Sequence, residues 1–318
     1  MNTTRIGITG LWGAVIASVL PVSAAWPVRV MLLDGEQAGA YHDWRETTPY
    51  LKRMLDDAGM FHVDVVTAPP PAGDFSKFKP DWNKYQVVVL NYDAPDERWP
   101  DSLKASFVEY IRNGGGLVSF HAADNAFPNW KEYNLMIGVG GWRGRNEKSG
   151  PHFYYQNEKL VADPSPGAAG SHGARIPFKV SNRVTDHPIT SGLPKEWMHA
   201  GDELYADLRG PGENMTVLAT ARSDSTNHGT GHDEPILMVI AYGKGRIFHT
   251  TMGHDLAALN CVGFITTYQR GTEWAATGKV TQKVPPDFPS AEKPSTRREY
   301  DPPPGWISPG DRPRSQLK

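Results

Sequence analysis

The chain has 318 residues, with 33 lysines and arginines against 35 aspartates and glutamates. This length allows one large domain or two small ones. The formal charge of −2 lacks the basic excess that binding to nucleic-acid phosphates requires, so we expect no nucleic-acid partner. Hydrophobic residues make up 39% of the sequence, which is enough for a packed core and argues against a disordered chain.

The first 24 residues predict a secretory signal peptide. Arg5 precedes an apolar run over residues 11–20, and Ser23 and Ala24 supply the small residues of a cleavage site. The run is shorter than the about 20 residues that span a membrane, although an uncleaved anchor or a start codon placed too early remain alternatives. We therefore expect a periplasmic or secreted bacterial protein with no membrane attachment after cleavage. Cys261, the single cysteine, fits an exported protein that does not depend on disulfides.

Apolar runs alternate with helical patterns after the predicted signal peptide. Thr48 and Pro49 predict the start of the first helix, and Gly59 its end. Strand alternating with helix is typical of a parallel α/β sheet. The strands are predicted at 28–33, 63–66, 87–90, 117–120, 178–180, 215–219, 236–241 and 247–250, and the helices at 49–58, 102–112, 130–137 and 262–274.

The rest of the chain divides into a long loop and a tail. Residues 138–173 are rich in glycine and show little periodicity, which predicts a loop of a length that is often functional. Residues 284–318 are rich in proline and predict an extended tail rather than a second domain. We expect one domain over residues 25–283.

Polar side chains follow the ends of several predicted strands. Ligands of open parallel α/β sheets bind beyond the carboxyl ends of the strands, so these side chains should converge on one cleft. Each of them could instead be structural, as a strand-end histidine with a satisfied hydrogen bond often is. The strand-end residues are Asp34, His42, Asp43, Trp44, Asn91, Asp93, His121, Asp124, Asn125, His249, His254 and Asp255.

Further residues suggest a sugar ligand, although each has a plainer interpretation. Tryptophan faces stack on the apolar faces of sugar rings, but Trp130 and Trp142 could equally lie in the core. Arg143, flanked by glycine and tryptophan, could bind an anion or a sugar hydroxyl, or be exposed. His187 precedes Pro188 and could belong to a turn. Glu203 lies in a stretch that resembles a solvated loop.

Several common functional motifs are missing from the sequence. There is no G-x-S-x-G or G-x-C-x-G elbow, no G-x-G-x-x-G after the first strand and no P-loop. We therefore expect no nucleotide cofactor. No C-x-x-C or H-E-x-x-H pattern indicates a strong metal site either.

The pattern as a whole resembles the ThuA-like (trehalose utilisation) family, over roughly residues 28–283. The resemblance implies an α/β fold of the flavodoxin-like, class I glutamine-amidotransferase-like type, a three-layer sandwich with a mainly parallel sheet. It lies in AYHDWRETTPYLKRML (40–55), GGGLVSFHAADNAFPNW (114–130), MIGVGGWRGR (136–145), DHPITSGLP (186–194), DELY (202–205) and YGKGRIFHTTMGHD (242–255).

The resemblance also implies a function in carbohydrate processing. His121 stands where an amidotransferase would present its nucleophilic cysteine, so we do not expect glutamine hydrolysis. Relatives imply a divalent metal such as Zn²⁺, with His121, Glu203 and His254 as ligands.

We accordingly expect an exported enzyme, a hydrolase or lyase that cleaves or rearranges a glycoside or its 3-keto derivative by acid–base chemistry, with or without a metal. One alternative is a sugar-binding module without catalysis, and another is a scaffold protein whose tail binds a partner. The sequence leaves open whether the chain forms a homo-oligomer. The catalytic candidates are His121, Asp124, Glu203 and His254; the substrate-binding candidates are Asp34, His42, Trp44, Asn91, Trp130, Trp142, Arg143, His187 and Asp255.

Overall fold

The computed structural model describes residues 27–313, so the predicted signal peptide over residues 1–24 lies outside the described residues. The strands of this part of the chain are β1 (Val28–Asp34), β2 (Phe61–Thr67), β3 (Val87–Leu90), β4 (Gly116–Phe120), β5 (His152–Gln156), β6 (Lys159–Asp163), β7 (Ser171–His172), β8 (Ile176–Asn182), β9 (Glu196–Asp202), β10 (Tyr205–Ala206), β11 (Met215–Arg222), β12 (Asp233–Tyr242) and β13 (Gly245–Thr250). The helices are α1 (Trp44–Asp57), α2 (Asp101–Arg112), α3 (Lys131–Ile137), α4 (Leu256–Leu259) and α5 (Val262–Thr277).

A single mixed sheet organises the domain, in the order β2-β1-β3-β4-β13-β12-β11-β8-β9. The first five strands of this order are parallel, and the remaining four pair in antiparallel fashion. The parallel half consists of the continuous apolar runs of the sequence, such as Val87–Leu90, which is buried along its whole length. Strands of this kind are buried on both faces, and their carboxyl ends share one edge.

Helices cover both faces of the sheet and give three layers. On one face, α1 and α5 bury side chains such as Leu51 and Phe264 in one core cluster with alternate residues of the strands. On the other face, α2 and α3 bury Phe107 and Tyr133 in a second cluster. The α/β class predicted from the sequence is therefore confirmed.

The first helix begins earlier than the sequence pattern indicated. Asp43, not Thr48, is the N-cap, because its side chain accepts a hydrogen bond from the backbone N–H of Arg45. Thr48 is instead buried inside the helix, and its hydroxyl donates to Asp34 Oδ2 at 2.8 Å. The hydrogen bond between Thr48 and Asp34 thus fixes the first turns of α1 to the end of β1, which lies at one edge of the candidate site.

Two segments for which the sequence predicted loops contain strands. The long segment 138–173 holds β5, β6 and β7, and the stretch before Glu203 is the buried strand β9. β5 pairs with β12 and β7 with β10, both far along the chain, whereas β6 forms a hairpin with β5 and β9 pairs with the preceding strand β8. Local periodicity carries little information about such pairs. No helix within residues 27–313 is long and apolar enough to cross a membrane.

The proline-rich tail lies against the domain as far as residue 313. The backbone N–H of Met198 in β9 donates to Ser290, and that of Val262 in α5 donates to Ser295. Tyr300 is buried, and its hydroxyl donates to Asp57 at the end of α1. The segment has little regular structure but covers the core over α1, β9 and α5.

Candidate metal centre and its pocket

A sharp turn at the end of β4 presents His121 at the rim of the sheet. His121 adopts a left-handed backbone conformation (φ 43°), which is uncommon outside glycine and often marks a functional position. Its Nδ1 lies 2.6 Å from the carbonyl oxygen of Thr251 and donates to it. The other ring nitrogen, Nε2, is buried and has no hydrogen-bond partner among the described residues, so it is the nitrogen with a lone pair to offer.

Three other side chains meet His121 from separate segments. His42 comes from the loop between β1 and α1, Glu203 follows β9, and His254 follows β13. One ligand atom from each of the four residues can be chosen so that all four lie within 4.8 Å of one another. The rings of His42 and His121 have centroids 4.9 Å apart, and those of His42 and His254 5.0 Å. This spacing suits a single ion between the four side chains.

The hydrogen bonding of the cluster fits a metal ligand set. Within residues 27–313, His42 Nδ1 and His254 Nε2 are buried without a hydrogen-bond partner, as His121 Nε2 is. Glu203 Oε2 lies 3.0 Å from His254 Nδ1, and the hydroxyl of Tyr205 lies 3.1 Å from His42 Nε2. Buried polar atoms are normally paired, and a carboxylate on the far nitrogen of a histidine is a common support of a metal ligand. Imidazole nitrogen with carboxylate oxygen is a donor set for Zn²⁺.

A buried aspartate behind the cluster fixes the segment that carries His254. The carboxylate of Asp202 accepts hydrogen bonds from the backbone N–H groups of Gly253 at 2.7 Å and His254 at 3.0 Å. It also lies 2.9 Å from Nε2 of the buried His199. Gly253 has φ 109°, and a side chain there would meet Phe120 at 2.5 Å. The turn therefore requires glycine at this position.

The electrostatic environment keeps the imidazoles of His42 and His121 uncharged. Burial, together with the neighbouring His254, lowers the pKa of His42 to about 3. Burial likewise holds the pKa of His121 well below its usual value. Burial would also lower the pKa of His254, but the contact with Glu203 leaves that pKa above its usual value. Burial alone would raise the pKa of Glu203, but the contact with His254 leaves that pKa below its usual value. Neutral imidazoles and an ionised carboxylate are the protonation states that bind a metal.

A cavity of about 520 Å³ opens beside the cluster. Its aromatic wall includes Tyr205, whose ring stacks on His121 at 4.2 Å and contacts Trp142 at 4.5 Å. Pockets that combine aromatic surface with a few polar groups are typical of small-molecule sites. The cavity is lined by Ala38, Gly39, Tyr41, His42, Asp93, Asn125, Trp142, Arg143, His172, Glu203 and Tyr205.

A larger groove of about 900 Å³ runs along α2 and the start of α3. Its lining contains charged surface residues such as Lys104 and Glu109, and among the described residues that line it there is no histidine or cysteine. We therefore place the candidate site in the smaller cavity.

The structure brings six of the sequence candidates together. His121, Glu203 and His254, the predicted metal ligands, form one cluster, and His42, predicted as a substrate-binding residue, joins them. Trp142 and Arg143 line the adjoining cavity. The convergence of strand ends that the sequence indicated is therefore found for these residues.

Three acidic and amide candidates lie outside the cavity lining. Asp124 is fully buried behind the pocket, with Oδ2 3.3 Å from His249 Nε2. Asp34 accepts the hydroxyl of Thr48, and the amide of Asn91 donates to the same hydroxyl at 2.9 Å. All three side chains point into the protein rather than over the rim. Asp34 and Asn91 join the sheet to α1, and Asp124 supports the turn after β4.

The remaining candidates outside the cavity lining have structural surroundings. Trp130 packs in the core with Phe127 and Tyr133. His187 contacts Trp274 in the last turns of α5, at the opposite edge of the sheet, where the neighbouring Ala275 meets the start of β4. Trp44 begins α1 beneath the guanidinium of Arg45. Asp255 caps α4 through the backbone N–H groups of Ala257 and Ala258.

Sequence reasoning missed several residues of the cavity. Tyr205 ends the DELY motif, which could have indicated it, but only the folded chain shows its contact with His121. Tyr41 lies in the motif AYHDWRETTPYLKRML but was not singled out, and His172 lies in the glycine-rich segment that shows little periodicity. Asp93 and Asn125 line the cavity after β3 and β4, as their position at predicted strand ends indicated.

Comparisons with known proteins identify the family of the chain. The family model described as ThuA, trehalose utilisation, matches residues 29–275. The chain belongs to the ThuA family. A ThuA-like protein of Parabacteroides merdae is 44% identical over 87% of this chain and 99% of its own, with a TM-score of 0.82. A ThuA-like protein of Bacteroides uniformis shares the fold at 19% identity, over 81% of this chain and 95% of its own, with a TM-score of 0.53. A comparison with curated proteins gives no significant match.

Membership of the ThuA family confirms the resemblance read from the sequence. The family connects the chain with carbohydrate use through trehalose utilisation. The cluster of His42, His121, Glu203 and His254 lies within the matched residues.

Proposed function

We propose that this ThuA family protein is an exported, metal-dependent enzyme that cleaves or rearranges a glycoside or its 3-keto derivative. The observation that carries the proposal is the cluster of three imidazoles and one carboxylate at the wall of a cavity lined by Tyr41, Trp142 and Tyr205. Such a wall can stack against a sugar ring while the cluster faces the reacting atoms. The family's part in trehalose utilisation supports the choice of a sugar.

His42, His121 and His254 would hold the metal through their unpaired ring nitrogens. Glu203, which the sequence analysis counted as a ligand, would instead support His254 through its Oε2. A bound divalent ion would supply stabilisation of the negative charge that develops on a carbonyl or hydroxyl oxygen of the substrate. The hydrogen bond from His121 Nδ1 to the Thr251 carbonyl and the contact between Glu203 and His254 keep the donor nitrogens oriented.

Glu203 is the group we assign to proton transfer. Its Oε2 is engaged by His254, whereas Oε1 lies 3.8 Å from Nε2 of His172, a side chain that is 40% exposed. A proton taken up at Oε1 can therefore leave towards solvent through His172. Beside a 3-keto group, removal of the neighbouring C–H proton lets the electron pair form an enolate, and expulsion of the glycosidic oxygen then breaks the C–O bond. The departing oxygen takes up a proton.

Glutamine hydrolysis does not fit the same position. His121 occupies the turn after β4, where an amidotransferase requires a thiolate nucleophile, and an imidazole that binds a metal cannot replace it. The one cysteine, Cys261, is fully buried at the start of α5 and is not part of the cavity lining.

The test of the proposal combines metal analysis with turnover. We expect the purified protein to contain close to one equivalent of a divalent metal and to release free sugar, or an eliminated product, from 3-keto-glycosides or plain glycosides. Glu203→Gln should retain the metal and lose activity by about 100-fold or more. His121→Ala should lose both.

His62→Ala, which changes an exposed histidine of β2, is the matched control and should behave as wild type. Tight sugar binding without turnover in any member of the panel would favour the sugar-binding module instead. A protein that takes up no metal and turns over no glycoside would refute the enzyme.

A further inference from the structure

A second polar group lies in the wall of the same cavity, formed by Asp93 and Arg143. Arg143 Nε donates to Asp93 Oδ1 at 2.8 Å, and Asp93 is only 2% exposed. The carboxylate follows β3 and the guanidinium comes from the segment after α3. The pair is therefore fixed on one side by the sheet.

The backbone that presents Arg143 is strained and firmly held. Trp142, Arg143 and Gly144 have consecutive positive φ values of 51°, 48° and 80°. Residues other than glycine rarely adopt this backbone conformation. Arg145 holds the segment in place: its guanidinium donates to the carbonyl oxygens of Asn125, Ala126 and Gly141 at 2.7 to 2.9 Å. Strain of this kind persists where the surroundings over-determine a functional position.

The pair leaves both an acceptor and donors unused. Asp93 Oδ2 is buried without a hydrogen-bond partner in the described part of the chain, and so is Oδ1 of Asn125 in the same wall. Only Nε of Arg143 is engaged within residues 27–313, by Asp93, so its terminal nitrogens are available at the cavity. Acceptor and donors thus stand next to each other.

We propose that Asp93 and Arg143 form a clamp for two neighbouring hydroxyl groups, and that the substrate is a neutral sugar; this inference rests on the proposed function. A hydroxyl both donates and accepts, so one hydroxyl donates to Asp93 while its neighbour accepts from Arg143. This arrangement gives a hydrogen-bond partner both to Asp93 Oδ2 and to a terminal nitrogen of Arg143.

An anionic sugar fits the same wall poorly. A carboxylate or phosphate would accept from Arg143, but it cannot donate to Asp93 Oδ2 or Asn125 Oδ1. It would also stand beside Asp93, which already balances the charge of Arg143, so the clamp offers an anion no net positive charge. A bound divalent metal would place the positive charge of the cavity at the histidine cluster instead. The negative charge of Asp93 next to an anionic group of the sugar would disfavour its binding at the clamp.

The test measures binding rather than turnover, on the metal-loaded full mature protein. Calorimetry would compare the methyl glycosides of glucose, galactose and mannose with methyl glucuronide and glucose 6-phosphate. The tightest neutral ligand would then be compared with its 2-, 3- and 4-deoxy derivatives. We expect a neutral glycoside to bind at least about tenfold more tightly than the charged sugars, and one neighbouring pair of hydroxyls to account for about a tenfold loss each when removed.

Variants assign that loss to the clamp. In Asp93→Asn and in Arg143→Lys, the penalty for the deoxy sugars should shrink to about threefold or less, with unchanged metal content. Asp96→Asn, at a surface carboxylate outside the cavity lining, is the control and should keep the wild-type penalty. If Asp93→Asn fails to fold, Arg143→Lys and the deoxy series on the wild type carry the test.

Equal or tighter binding of methyl glucuronide or glucose 6-phosphate, a flat deoxy series, or no binding of any neutral glycoside would overturn the clamp. A protein that shows the predicted deoxy pattern but takes up no metal and turns nothing over would leave the clamp intact and refute the proposed enzyme.

Discussion

At the scale of single residues, the candidate site depends on a buried aspartate that does not line its cavity. Asp202 is fully buried and yet bonds to two successive backbone N–H groups and to His199. Because those N–H groups belong to Gly253 and His254, the carboxylate fixes where the His254 ring lies. A residue of this kind acts on the metal through another side chain.

We expect Asp202→Asn to weaken metal binding by about 10- to 100-fold, the range that supporting residues of metal sites show. The amide keeps one acceptor oxygen but replaces the other with a donor, which cannot accept from a backbone N–H. Competition with a chromogenic chelator measures the affinity. Asp224→Asn, at an exposed cap of the Ser225–Asn227 turn, is the control, and equal affinities for the two variants would contradict this function of Asp202.

Asp93 gives the site a pH dependence of its own. Its pKa is raised to about 6, mainly by burial. Arg143 and Arg145 lower this pKa and Asp124 raises it, but these effects are smaller than that of burial. A folded pKa above the ordinary 3.8 means that ionising Asp93 costs folded-state stability as the pH rises through this interval. The clamp needs the ionised form, so its affinity should be greatest above about pH 6 and fall as the pH drops through that value.

Calorimetry with a neutral methyl glycoside between about pH 5 and pH 8, with the metal content followed in parallel, measures this dependence. Asp93→Asn should bind more weakly but show no step near pH 6. A wild-type step that persists in the variant would assign the pH dependence to other groups.

At the scale of elements, the site is built from connections rather than from the strands themselves. The sheet supplies a rigid edge, and the turn after β4, the segment after β13 and the segment between α3 and β5 carry the side chains. The last of these packs closely on the first: a Cβ at Gly140 would lie 2.2 Å from the backbone carbonyl oxygen of Asp124. The position of Arg143 therefore depends on a contact between two connections.

We expect Gly140→Ala to destabilise the protein by about 2–3 kcal/mol, the usual cost of overpacking a rigid contact, and to weaken sugar binding by displacing Arg143. Gly59→Ala is the control, because Gly59 has φ 69° with open space around it and should lose about 1 kcal/mol through backbone strain alone. Denaturant unfolding and calorimetry measure the two effects. Unchanged sugar affinity in Gly140→Ala would show that the segment does not depend on this contact.

At the scale of the whole molecule, the parallel half could be predicted and the antiparallel half only in part. Val87–Leu90 and the other central strands are apolar on both faces, which makes them visible in the sequence. β5, β6 and β9 mix polar and apolar residues without a clear period, so their identity depends on pairing and tertiary contacts. The helix start at Asp43 was missed because Thr48-Pro49 offered a stronger local signal.

The candidate site divides in the same way. The position of His121 and His254 after parallel strands follows from sheet topology, and this predicted their meeting. Asp34 and Asn91 obey the same rule but turn towards Thr48 and α1, because topology fixes where a residue lies and not where its side chain points. Tyr205 reaches the site from the short strand β10, whose position the sequence pattern does not determine.

The C-terminal segment links the two sides of the rim. The indole N–H of Trp306 donates to Glu46 in the first turn of α1 at 2.8 Å, and Ser308 donates to Asp255 at 2.6 Å. Glu46 lies four residues after His42, and Asp255 directly follows His254. The segment therefore braces both connections that carry histidines of the candidate metal centre, which a free tail would not do.

We expect Trp306→Ala to lower the free energy of unfolding by about 2 kcal/mol, since the ring is partly buried against the core and its N–H is paired, and to weaken metal binding severalfold by loosening the start of α1. The neighbouring Ile307 is 45% exposed, so Ile307→Ala is the matched control and should stay within about 0.5 kcal/mol of wild type. Denaturant unfolding with and without a chelator separates the two effects. If Trp306→Ala loses stability equally in both conditions, the segment stabilises the fold without bracing the metal centre.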